Sequence, residues 1–365
     1  MIIKIASPII DKEEKNAVLK VLESGKFVQG ENVENFENAF AKYTGSKYAI
    51  AVGSGTAALH LSLISLKITN GHDVITPSFS FISSANCALY CGAKPVLSDI
   101  RLDTFNIDVS DIREKITPST KAIVPVHLYG HPADMDEISE LATENDFYIV
   151  EDCAQANGAE YLGKKVGSLG DVGCFSFYPT KGMTTIEGGM IVTNNEEIAE
   201  KTRVLRNIGQ KSIYTHTDLG YNYRMNEVEA AIGLCQLKKL DKWIEQRTKN
   251  ARILTKKLQG IRGIVTPTVL PKAKHSFNYY TIRVKDECKL TREEVIKEML
   301  KRGVETKVYY PIPIHKQPLY IKLGYTGEHP NSEIASGECL SLPVSPKISV
   351  NDLEIISEAL IDTLS

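Results

Sequence analysis

The sequence predicts an α/β fold: a mostly parallel central sheet covered by helices on both faces, followed by a smaller C-terminal α+β domain. Three observations carry that prediction. Short β-branched or apolar runs alternate with helical patterns through the first two thirds of the chain, as parallel strands joined by helical crossovers do. The alternation gives way near residue 227 to a long proline-free helical stretch. The 365 residues also exceed what one hydrophobic core usually holds, so two domains are expected, 1–240 and 241–365.

Taken in order, "YAIAVGS" (48–54) reads as a strand and "GTAALHLSLISL" (55–66) as a helix opening directly after it. "DVITP" (73–77) is a strand, and "SSANCALYCG" (83–92) is helical. "KPVLSDI" (94–100), "KAIVPVHLYG" (121–130) and "FYIVEDC" (147–153) are further strand runs, with a helix at 134–145 between the last two. "GCFSFY" (173–178) and "GGMIVTN" (188–194) read as two more strands able to pair. The stretch 227–260 sustains helical spacing at Val228, Ala231, Leu234, Leu237 and Leu240, long enough to leave one domain and enter another. Beyond it come a strand at 279–284, a helix at 291–303 opened by the capping box Thr291 and Glu294, a strand at 304–311 and a closing helix at 350–364.

Composition narrows the class. Hydrophobic residues at 42% and charged residues at 24% are ordinary for a soluble globular protein. A net charge of −2 gives no electrostatic argument for a nucleic acid or an anionic membrane as partner. No apolar run reaches the roughly 18 residues of a bilayer span, and the start meets acidic residues too early for a signal peptide. The seven cysteines are odd in number and form no C-x-x-C, which argues against a disulfide framework or a zinc ribbon. Free thiols in a reducing cytoplasm, with no metal site, are the expectation.

Parallel sheets place ligands in the crevice at the carboxyl ends of their strands, so the residues at those ends matter most. "VGSGTAAL" (52–59) runs a glycine-rich turn straight into a helix with Thr56 in its first turn, where free N–H groups and the helix dipole favour an anion such as phosphate. "YIVEDCAQANGA" (148–159) ends an apolar strand in two acids, and a buried carboxylate there needs a cationic partner. "FSFYPTKGMTTIEGG" (175–189) sets Lys181 on a glycine-bordered turn behind a strand carrying Ser176. Singly, each has a plain structural reading. Together they match pyridoxal 5′-phosphate, whose phosphate, ring nitrogen and aldehyde need an anion cradle, a carboxylate and a lysine.

The residues "SGTAAL", "EDCAQA", "FSFYPTK…EGGMIVTN", "LGYNYRMNEVEAAIGLCQL" and "YYPIPIH" resemble the sugar aminotransferases of the DegT/DnrJ/StrS family, over nearly the whole chain from about 25 to 346. The resemblance implies fold type I, the aspartate aminotransferase fold, and a pyridoxal-phosphate transaminase. It implies that Lys181 captures the cofactor's aldehyde as an imine, that Asp152 pairs with the pyridinium nitrogen, and that Gln155 lies near the ring hydroxyl. Thr56, Ala57 and Ser176 match the phosphate-binding positions, and Phe81 the aromatic ring stacked on the pyridine. Asn222, in "GYNYR", matches an asparagine that reaches the phosphate of the neighbouring subunit, which implies a homodimer with shared active sites. Tyr310 and His315 are candidates for the substrate entrance. The implied reaction moves an amino group from an amino acid, L-glutamate by resemblance, to a nucleotide-linked keto sugar. The "GYNYRM" form resembles enzymes that aminate C4 of a 4-keto-6-deoxy sugar. A 3-keto sugar, an amino-cyclitol, or a non-catalytic regulator on the same fold are the alternatives; the dehydratases of the family carry histidine in place of Lys181. Two positions depart from the family pattern: Gly182 stands where asparagine is usual, and Ile186 where glycine is usual.

Overall fold

The computed structural model describes residues 2–364. Seven strands form the central sheet: β1 (Tyr48–Val52), β2 (Asp73–Pro77), β3 (Lys94–Ser98), β4 (Thr120–Ile123), β5 (Tyr148–Asp152), β6 (Val172–Ser176) and β7 (Gly189–Thr193). Their spatial order is β1-β7-β6-β5-β4-β2-β3. β7 runs antiparallel to both its neighbours, and the pairs β6–β5, β5–β4, β4–β2 and β2–β3 are parallel. β2, β6 and β7 are buried at every residue, which explains why their sequences are apolar runs rather than alternating patterns.

Helices cover both faces; α1 (Lys12–Ser24) is the first in the chain, and α4 (Ser83–Tyr90) follows β2. On one side α3 (Gly55–Ser65) packs Leu59, Leu61 and Leu63 against Ile50, Val74, Val150 and Ile191. It is apolar almost all round, as a helix enclosed in a core must be. On the other side α2 (Glu31–Thr44) sets Phe36 and Phe40 against Phe175 and Phe177, with ring centroids 4.9 to 5.4 Å apart. All seven cysteines are free thiols, and Cys87, Cys153, Cys174 and Cys339 are buried.

The strand ends are where expectation and structure part. The 121–130 run stops as a strand at Ile123, because Pro125 has no N–H to continue the ladder. The long helix at 227–260 is two helices, α5 (Glu227–Leu237) and α6 (Leu240–Leu258). The break falls at Lys239, whose Nζ lies 2.8 Å from Asp11 and Glu14 and 3.0 Å from Glu13. The strand expected at 304–311 does not form. Only isolated bridges occur there, Val304 with Ile3 and Lys307 with Ser341. Tyr309 instead offers its carbonyl to the Tyr129 hydroxyl, and Pro311 ends any ladder.

The C-terminal part builds a three-stranded antiparallel sheet in which β8 (Ile264–Val265), β9 (Tyr280–Val284) and β10 (Cys339–Leu342) lie in that order. Its core joins Leu254, Tyr280, Ile282, Leu340 and Ile356 beneath α7 (Arg292–Lys301) and α8 (Val350–Leu364). The expected Thr291–Glu294 capping box opens α7. Contacts cross residue 240 in both directions: Ile3 bridges Val304, while Ile314 and Tyr320 pack against Ala85 and Leu97.

Candidate active site

A cavity of ≈540 Å³ opens at the carboxyl ends of β5 and β6 and the start of α3, at the place the strand order makes available. Lys181, Asp152, Gln155, Ser176, Thr56, Phe81 and Tyr310 all line it. At its floor Ser54 caps α3: its Oγ accepts from Ala57 N at 3.1 Å, and its carbonyl accepts from Ala58 N at 3.0 Å. The Gly55 and Thr56 N–H groups are left without an intrahelical partner. A Cβ on Gly55 would stand 2.8 Å from Ser176 Cβ, so glycine alone lets the helix start approach the end of β6 this closely. Ser176 is buried, and the Thr56 and Ser83 hydroxyls are 2.8 Å apart. The result is a pocket of hydroxyls and helix-end amides suited to a phosphate.

The two acids at the end of β5 point to opposite faces, as adjacent strand residues must. Glu151 faces inward, where it accepts from the amides of Gly167, Leu169 and Gly170 at 2.7–2.8 Å and from His127 Nε2 at 3.0 Å. His127 Nδ1 accepts from Ala133 N, so its proton sits on Nε2. Glu151, His127 and Cys153 offer ligand atoms within 4.8 Å of one another. The carboxylate's four acceptor positions are already filled by protein donors, which accounts for the cluster as a structural network. Asp152 faces the cavity. Ser84 Oγ donates to its Oδ2 at 2.7 Å and Ala154 N to its Oδ1 at 3.0 Å, which leaves acceptor capacity for a ring N–H. The donors and acceptors around the cavity thus fit pyridoxal phosphate at both its phosphate and its nitrogen.

Gln155 ties one wall to another. Its Oε1 accepts from Tyr129 N at 2.9 Å, and its Nε2 donates to the Tyr310 hydroxyl at 2.8 Å. Burial, then the nearby Tyr279 and Asp152, hold the Tyr310 phenol well above the ordinary tyrosine range, so it stays protonated. The Phe81 ring is about half exposed and sits 5.9 Å from the Tyr310 ring; it is a cavity-wall residue rather than a core phenylalanine. Lys181 follows β6 on a turn closed by its own N–H to Tyr178 O at 2.9 Å. Its ammonium makes no ion pair among the described residues.

Three expected site residues do not line this cavity. Ala57 is buried one position inside the cradle, and its N–H is committed to Ser54. Asn222 is exposed away from the cavity, bridged to Asn207. His315 does not reach the entrance: it is buried, with Nδ1 2.6 Å from Ser78 Oγ and Nε2 3.2 Å from Glu333. It pins the 314–316 turn onto the loop that follows β2. Conversely, Ser84, Tyr178, Lys307 and Tyr309 belong to the cavity or its support, and the motifs alone do not reveal them. The serine cluster of "SFSFISSAN" and the tyrosine pair of "YYP" are the signals that could have.

The profile of the DegT/DnrJ/EryC1/StrS aminotransferase family matches residues 8–361. The chain belongs to that family. Among relatives of this aminotransferase, the GDP-perosamine synthase of Caulobacter vibrioides is 41% identical, over 98% of this chain and 97% of that protein. A protein of Geobacillus stearothermophilus named as a pleiotropic regulatory protein is 40% identical, over 96% of each. The solved structure of Streptomyces venezuelae DesV, in complex with a ketimine intermediate, superposes with a TM-score of 0.92 at 37% identity, over 96% of this chain and 94% of that one. The aminotransferase fold is therefore shared along nearly the whole chain. Among the described residues, no helix is long and apolar enough to cross a membrane.

Proposed function

We propose that this aminotransferase uses pyridoxal 5′-phosphate to carry an amino group from an amino acid, L-glutamate in the first instance, to a nucleotide-linked keto sugar. The observation that carries the reading is the convergence of Lys181, Asp152, Ser176 and Thr56 on one cavity at the strand ends. The cofactor, when bound, supplies an aldehyde and a ring able to accept electrons. Thr56, Ser176 and the α3 amides hold its phosphate; Asp152, fixed by Ser84 and Ala154, keeps a proton on its ring nitrogen. Gln155 and Tyr310 position the wall beside the ring. Lys181 Nζ takes the proton from the donor's α-carbon and later delivers one to the sugar carbon that receives nitrogen. A positioned base of this kind is worth on the order of 10²–10⁴ in rate.

A cavity of ≈540 Å³ is in the range for one drug-sized ligand, so cofactor and sugar ring fill it and the nucleotide lies outside its mouth. The "GYNYRM" motif supports a 4-keto-6-deoxy sugar over a 3-keto sugar. A homodimer in which Asn222 completes the partner's phosphate site accounts for an asparagine that is exposed and does not line its own cavity. The purified protein should absorb near 410–430 nm and shift to about 330 nm with glutamate. In Lys181→Ala the glutamate-driven shift should vanish with the far-ultraviolet dichroism intact; a shift that survives sinks the assignment. Keto sugars on GDP, dTDP and UDP, with mass detection of the amino product, then identify the acceptor. A regulator that kept the fold is a second reading, favoured by the name of the Geobacillus relative. It predicts no response to glutamate at all.

A further inference from the structure

A second, much smaller void lies behind Lys181, between the N-terminal residues 5–9, the turn that carries the lysine, and α6. Its ≈30 Å³ has room for about two waters. Two polar groups converge on it without partners. Asn278 is buried, and neither its Oδ1 nor its Nδ2 has a hydrogen bond among the described residues. Arg247 has an enclosed Nε with no partner there, and its Nη1 makes only long contacts to the carbonyls of Phe277 (3.4 Å) and Asn278 (3.3 Å). Gln236, also at the void, is fully spent on Ile9, Glu14 and Thr184. None of the lining residues is acidic, while Arg247 brings a guanidinium into it.

An enclosed guanidinium without a carboxylate is strongly unfavourable, and its planar fork is suited to an oxyanion. A neighbouring amide with a free N–H completes a donor set. We propose that Arg247 and Asn278 form a subsite for one small anion, a carboxylate or a halide, immediately behind Lys181. Burial lowers the Arg247 guanidinium to about 10, which still leaves it charged at neutral pH. Two sources supply such an ion. One is the carboxylate of the amino donor, entering past Lys181, which lines both cavities; that source rests on the function proposed above. The other is an inorganic anion from solution.

Trp243, the only tryptophan of the chain, lines the same void and reports on it directly. Titrating the holoenzyme with iodide should quench its fluorescence with a saturable component on top of the linear collisional one. That component should disappear in Arg247→Met and weaken about tenfold in Asn278→Leu, a loss of about 1.4 kcal/mol. Strictly linear quenching, unchanged by either substitution, overturns the proposal. If Arg247→Met fails to fold by circular dichroism, Asn278→Leu decides the matter through the same titration. Displacement of iodide by glutamate, with a glutamate KM raised about tenfold in Asn278→Leu and an unchanged KM for the keto sugar, assigns the donor's carboxylate. Displacement by chloride but not glutamate assigns an inorganic anion. The quenching needs no turnover, so a protein that saturates with iodide yet shows no absorbance response to glutamate disproves the transaminase reading alone.

Discussion

The cavity has two unlike walls. The inner one, from Ser54 to Thr56 and through Ser84, Asp152 and Ser176, stands on strand ends and helix starts. Its groups are buried or enclosed and held by hydrogen bonds of 2.7–3.1 Å. The outer one, with Phe81, Tyr178, Glu187 and Lys307, is largely exposed and stands on loops. Rigid elements give the precision that fixed cofactor chemistry needs, whereas loops tolerate the variation that different acceptors demand. Gln155 and Tyr310 are the seam between them.

The sharpest way to break this contrast is at the inner wall. Asp152→Asn keeps the shape and the Ser84 contact but removes the negative charge that we propose faces the cofactor's ring nitrogen. Transamination should fall by 100-fold or more, about 3 kcal/mol of lost electrostatic stabilisation, while thermal stability changes little. Single-turnover absorbance with glutamate measures it, and near-normal rates would show that the inner wall is merely structural.

Next in size is an acid weakness beyond the cavity, at the buried histidines that brace the 314–316 turn. His329 is buried against His315, their ring centroids 4.6 Å apart, and desolvation lowers it to about 4, with Lys115 and His315 acting in the same direction. The fold thus holds it neutral. As pH falls through about 6.5 the unfolded chain takes up this proton first, so stability is lost between there and about 4, by roughly 1–3 kcal/mol. Urea unfolding at pH 7 and pH 5 should show the drop, and His329→Asn should flatten it. His275, buried and pushed well below the usual histidine range, acts in the same sense.

At the seam, Tyr310→Phe removes the hydroxyl that accepts from Gln155 and should cost about 1 kcal/mol, weakening cofactor affinity a few-fold without abolishing turnover. Dialysis against cofactor-free buffer, followed by absorbance, checks this. An effect as large as that of Asp152→Asn would erase the distinction between the walls.

The smallest effect concerns Ile186, an exposed β-branched residue at φ +77° three residues before the end of the lysine loop, where glycine would be unstrained. Ile186→Gly should stabilise the protein by about 1 kcal/mol, whereas Ile186→Ala, which keeps the Cβ, should not. Differential scanning calorimetry separates them. The departure from the family pattern at this position is therefore visible as local strain. Gly182, the other departure, sits where a Cβ would come within 3.3 Å of Asn157, so a larger side chain there must displace its neighbour.

By itself the sequence determined what nearest-neighbour physics can encode. Period and turn chemistry located the strands of the central sheet, with the 121–130 run overextended past Ile123, and glycine, acid and lysine at strand ends pointed to a pyridoxal-phosphate site before any contact was known. Strand periodicity alone cannot say which of the two adjacent acids faces the cavity; the tertiary structure turns Glu151 onto backbone amides and Asp152 into the cavity, as the resemblance implied. It also decided that Ser84 supports Asp152 from 68 positions away, that His315 is buried rather than at the entrance, and that 304–311 forms no strand. Those outcomes depend on which distant groups arrive to take a hydrogen bond or to exclude water, and no local pattern of residues contains that information.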